Sequence, residues 1–159
     1  MATRRTTFSL RLLLSTLLLA LTSSVFAAAI APIFSTQAGA IRGYDPVAYF
    51  TEHRAVKGKT QLVYRWNEAD WHFSKAENLA AFKADPEKYA PQYGGYCAYG
   101  VAQGYTPETD PHAYQVLNGK LYLNLSKVVL KRWQQDIPGY VSEANQNWPQ
   151  LQAGTYVEK

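Results

Sequence analysis

Cys97 is the residue of this chain best suited to chemistry. It is the single cysteine among 159 residues, and it follows Gly94-Gly95, whose free φ permits close backbone approach. A thiolate is both a nucleophile and a soft metal donor. His72 and His112 could add the borderline nitrogen that copper or zinc takes beside sulfur. The nearest histidine in sequence, His112, is fifteen residues away; His53 follows Glu52 in a polar turn. A metal site built from Cys97 with one or both of His72 and His112 is the first candidate, with Tyr and Asp as supporting groups. A second reading is a thiol-dependent redox protein. Cys97 would then form a mixed disulfide or sulfenic acid, with no resolving partner in the chain. A third is a purely structural or partner-binding domain whose buried, inert sulfur packs among Ala98, Val101 and Ala102.

Other chemistry has little behind it. The sequence holds no G-x-S-x-G, dinucleotide fingerprint, P-loop, H-E-x-x-H or C-x-x-C-H, so no enzyme class is indicated. Tyr89, Tyr93, Tyr96, Tyr99 and Tyr105 crowd the stretch around Cys97, where they can line a small-molecule pocket or cement a core. Asn124-Leu125-Ser126 matches the short glycosylation pattern.

The elements that must position these groups follow from pattern. Leu62–Trp66 and Asp70–Phe73 are aromatic, β-branched runs that read as a hairpin, with His72 facing away from Trp71 and Phe73. Ser74 with Glu77 three residues on has capping-box spacing for a helix carrying Leu79 and Phe82. Asp85-Pro86 stops that helix and starts a short one. Tyr96–Ala102 reads as a helix, which puts the sulfur in a first turn where the dipole lowers a thiol's pKa. Asn118-Gly119 between Ala113–Leu117 and Lys120–Leu125 is a strong hairpin signal, because both loop positions need positive φ. Ser126 caps a helix over 127–135, Pro138-Gly139 interrupts, and a last helix runs over 140–148. The order predicts an α+β fold, a small single domain with two short antiparallel hairpins and several short helices.

Charge and composition locate the chain. Lys and Arg number 16 against 12 Asp and Glu, a net +4, but Arg4, Arg5 and Arg11 precede any acid. Removing residues 1–27 leaves 13 basic residues (16 less those three) against 12 acidic, so the domain carries no basic footprint for nucleic acid. Those 27 residues have a charged start, an apolar run over 12–21 and a small-residue end at Val25-Phe26-Ala27, the organisation of a cleavable secretory signal. The competing reading is an uncleaved anchor extending to Ile33. Arg4-Arg5 invites twin-arginine export, but Phe8 sits one place late for that pattern. The expectation is a periplasmic or secreted protein, free of the membrane after cleavage. A lone cysteine there leaves no intramolecular disulfide, so packing must hold the domain. With 47% hydrophobic and 14% aromatic residues it has the material to do so. Residues 28–40 read as a flexible N-terminal segment, 41–149 as the domain and 150–159 as a polar tail.

Several long segments resemble a known family. Gly43-Tyr44-Asp45-Pro46-Val47-Ala48-Tyr49-Phe50, Phe73-Ser74 to Asn78, Asp85-Pro86-Glu87-Lys88-Tyr89 and Pro91-Gln92-Tyr93-Gly94-Gly95-Tyr96-Cys97-Ala98 are similar to the exported branch of the YHS-domain family. Gly119 to Asn124 and Asn147-Trp148-Pro149 match it too. The resemblance runs from about Gly43 to Pro149 and implies a link with metal handling, above all of heavy metals or copper. In the metal-binding versions, cysteines fall after Asp-Pro-Val and in a Phe-Cys-Ser-x-x-Cys run; the corresponding positions here are Ala48, Ser74 and Asn78. All three thiols are missing, and Ser and Asn are poor ligands for soft ions. The expectation is an exported YHS-type binding domain that takes a metal ion or small molecule around Cys97.

Overall fold

Six α-helices and three two-stranded antiparallel sheets build residues 29–158, the part of the chain that the computed structural model describes. The expected signal segment lies outside the described residues. Among the described residues no helix is long and apolar enough to cross a membrane. The α+β architecture is as the sequence pattern predicts, with one more small sheet.

That extra sheet pairs β1 (Ser35–Thr36) with β2 (Gly39–Ala40), in a stretch expected to be flexible. It is tied into the core: Ile33 just before it is 6% exposed and Ala40 within β2 is fully buried. Gly39 is required there, since a Cβ would stand 2.4 Å from the Asp70 carbonyl oxygen. Helix α1 (Ala48–Thr51) follows the Asp45-Pro46 turn.

β3 (Lys59–Trp66) and β4 (Ala69–Phe73) form the first expected hairpin. Its two-residue turn holds Asn67 and Glu68 at φ 47° and 65°, the left-handed pair that matches strand twist. Trp71 and Phe73 point inward and are fully buried, while His72 is only half-buried on the opposite face. Helix α2 (Ala76–Ala84) delivers Phe82 against them, with ring centroids 4.9 Å from Trp71 and 5.3 Å from Phe73. Full burial of one such side chain contributes about 1.5–3 kcal/mol. The expected Ser74–Glu77 capping box does not form. Lys75 occupies the cap without a side-chain bond, because Ser74 is engaged by Asp45. The short α3 (Pro86–Tyr89) is capped by Asp85, as its sequence indicates.

β5 (Asp110–Leu117) and β6 (Lys120–Asn124) close on Asn118-Gly119 at φ 50° and 73°. β6 is buried on both faces. Leu121 and Leu123 join a first core with Trp71, Phe73, Phe82 and Tyr49. Tyr122, pointing the other way, joins a second core with Tyr93, Tyr96, Val101, Trp133 and Ala144. Three helices enclose that second core: α4 (Ala98–Ala102), α5 (Lys127–Trp133, capped by Ser126) and α6 (Ile137–Ala153). Pro138-Gly139 does not interrupt α6 but opens it, since proline is tolerated in a first turn and Asp136 caps the Gly139 N–H. The helix continues past Trp148 and Pro149 to a left-handed Gly154, so the expected tail is helical as far as Ala153.

Candidate functional site

The Cys97 sulfur is sealed by its own chain. The residue is 1% exposed and stands at the cap of α4, one position before the expected first turn. Its Sγ accepts the N–H groups of Leu125 (3.3 Å) and Gly100 (3.5 Å). Its S–H donates to Asn124 Oδ1 (3.7 Å from Sγ), which also accepts the Tyr99 N–H at 3.3 Å. Asn124 is fully buried and its Nδ2 makes no hydrogen bond, so the folded domain presents no exposed amide at the glycosylation pattern. Burial pushes the thiol above its ordinary value, outweighing the N–H groups of Gly100, Leu125 and Tyr99 that favour the thiolate. The expected lowering by a helix dipole is corrected: a five-residue helix is a weak dipole, and desolvation of the charged sulfur dominates.

The histidines lie elsewhere. His72 packs beside Gly39 and lines a shallow polar cavity of about 230 Å3 with Arg65, Glu68 and Asp70. His112 is exposed on β5; its Nε2 is 3.2 Å from the Tyr44 hydroxyl, and the two rings meet edge to face. No group of three His, Cys, Asp or Glu side chains that could hold a metal ion occurs among the described residues. The metal set Cys97, His72 and His112 is therefore not brought together. β4 presents His72 on one hairpin, β5 presents His112 on another, and Cys97 is enclosed beneath β6.

Sequence reasoning missed a buried polar centre, Asp45. Asp45 is fully buried, and its carboxylate accepts five hydrogen bonds. Oδ1 takes the N–H groups of Val47 (2.9 Å) and Ala48 (3.4 Å). Oδ2 takes the Ser74 N–H (2.8 Å), the Ser74 hydroxyl (2.6 Å) and the Asn78 amide (2.7 Å). Ala48, Ser74 and Asn78 are the three positions where the YHS resemblance puts thiols. Here those residues aim hard N–H and O–H donors at a carboxylate and offer no soft ligand, so they do not fit a copper-type ion. The signal available in the sequence was Asp-Pro followed at a distance by Ser and Asn in place of Cys.

No family model, no curated protein and no solved structure matches the chain.

Proposed function

We propose that this chain is an exported YHS-type domain acting as a non-catalytic binding module, in which Cys97 is a structural thiol rather than a metal ligand or redox centre. The observation that carries the choice among the three readings of Cys97 is its enclosure: 1% exposure, with Leu125 and Gly100 N–H groups on the sulfur. A metal donor or nucleophile must be reachable as thiolate, and burial holds this one protonated. The export half of the reading rests on the charged and apolar character of residues 1–27, and the family half on the long ordered motifs between Gly43 and Pro149.

Thiol titration tests it. The native protein should react with an aromatic disulfide reagent only after denaturant is added, then release one equivalent. Copper(I) or zinc offered against a chromophoric chelator should stay with the chelator, in the parent and in Cys97→Ala alike. Rapid native reaction, or one equivalent of metal retained by the parent and lost in Cys97→Ala, overturns the proposal.

A further inference from the structure

A cavity of about 200 Å3 lies between the turn after β2 and the loop before β5, lined by Arg42, Glu108, Thr109, Asp110, Pro111 and Leu125. The backbone that delivers Arg42 to it is unusual. Ile41, Arg42 and Gly43 are all left-handed, at φ 47°, 53° and 78°. A β-branched residue at positive φ is a true outlier, and such outliers persist where surrounding structure over-determines them, often at ligand sites. Ile41 is held by burial at 2% exposure, and Lys57 Nζ donates to the Arg42 carbonyl.

The guanidinium itself is fixed from one side. Arg42 Nε donates to the Thr109 carbonyl at 2.9 Å. Thr109 is 2% exposed, and its hydroxyl is tied to the Gly95 carbonyl at 2.9 Å. On the other side, Nη2 meets Glu108, whose side chain is 60% exposed. A surface ion pair of this kind is weak, so Glu108 can be exchanged for another carboxylate while Thr109 keeps the fork aimed. Leu125, 41% exposed, and Pro111 supply an apolar wall. Asp110 spends one oxygen on the His112 N–H (2.9 Å) but leaves negative charge at the rim, which disfavours phosphate and other multiply charged anions.

We propose that this cavity binds a small monocarboxylate with an apolar body, paired to Arg42 and laid against Leu125, with Glu108 as the built-in competitor it displaces. The inference rests on the binding-module reading and gives it a ligand class. Arg–carboxylate pairing is bidentate and geometrically selective, and a cavity of this size accommodates a short branched acid.

Isovalerate titrated into the 15N-labelled protein provides the test. Amide shifts should concentrate at Arg42, Thr109 and Leu125 and saturate, and isovaleramide, the neutral analogue, should produce none of them. Glu108→Gln removes the competitor and should tighten binding several-fold. Arg42→Gln should abolish it, and Arg42→Lys, which keeps the charge but loses the fork, should weaken it about tenfold or more. Shifts that are absent, that lie elsewhere, or that are indifferent to Glu108→Gln overturn the site; Glu108 is exposed, so that variant does not endanger folding. A silent titration with Cys97 still inert removes the site alone, whereas a reactive or metal-holding Cys97 removes the broader proposal.

Discussion

Asp45 and Cys97 are both buried polar groups next to a short helix, and their surroundings differ in kind. The Asp45 carboxylate collects five donors from three segments (the turn into α1, the end of β4 and the first turns of α2) at 2.6 to 3.4 Å. The Cys97 sulfur has two N–H donors, at 3.3 and 3.5 Å, and a neighbour, Asn124, whose amide nitrogen is unpartnered. The contrast extends to the cores around them. Of the three buried side-chain atoms without a hydrogen bond among the described residues, the Trp133 nitrogen lies in the second core, and the other two are on Asn124 and Asn147, which bond the α4 backbone beside it. The Asp45 side is polar but satisfied; the Cys97 side is apolar with loose polar ends. A satisfied buried network fixes local geometry more tightly than a thiol, because each missing bond costs a desolvated group its partner.

The largest expected effect follows from that difference. Asp45→Ala removes one acceptor and strands Val47, Ala48, Ser74 and Asn78 at once. Each buried donor left unmade costs ~1–3 kcal/mol, and water entering the gap limits the sum. We expect a loss of about 3–5 kcal/mol in urea denaturation. Ser74→Ala should cost about 1 kcal/mol, since the Ser74 N–H still reaches Oδ2. Equal costs for the two variants would show that Asp45 is not the shared centre.

This node also explains what was legible beforehand. Ser126 and Asp85 cap their helices as local sequence says, and Asn118-Gly119 turns its hairpin, because their partners lie within three residues. Ser74 carried an equally good local signal and failed, because a carboxylate 29 residues away takes its N–H and hydroxyl. The two-residue strands β1 and β2 are too short to show alternation. Cys97 was recognisable as a residue of interest, but which imidazoles approach it is a matter of tertiary placement that spacing does not encode. Arg42 gave no signal at all, since nothing in Ile41-Arg42 announces a left-handed turn.

A smaller effect, of opposite pH character to a reactive thiol, is expected at Cys97. Cys97→Ala deprives the Gly100 and Leu125 N–H groups of their acceptor and should cost about 1–2 kcal/mol near neutrality. The folded thiol's pKa is raised above its ordinary 9.0 by burial. Its contribution is therefore complete below about pH 9 and is lost as pH rises through the folded value, because the unfolded chain ionises first. The parent's advantage over Cys97→Ala should shrink across that window. The buried Tyr49 and Tyr93, also raised by desolvation, add an alkaline decline common to both proteins, so only the difference between them reports the sulfur. An advantage that grew with pH would mean a stabilised thiolate and would reverse the contrast with Asp45.

The finest comparison uses two tryptophans. Trp71 in the first core and Trp133 in the second are both fully buried. Trp71 Nε1 donates to the Trp66 carbonyl at 3.0 Å, whereas Trp133 Nε1 makes no hydrogen bond. Replacing each by Phe removes a similar volume, so the indole hydrogen bond is the main chemical difference between the two sites. Trp71→Phe additionally breaks a bond and leaves the Trp66 carbonyl short of a donor. Trp133→Phe instead removes a buried N–H that has no protein partner to lose. The first substitution should therefore destabilise by about 1 kcal/mol more than the second, measured as the gap between their urea midpoints at equal slope. Equal midpoints would place a partner on the Trp133 indole and erase the distinction between a satisfied core and a loose one.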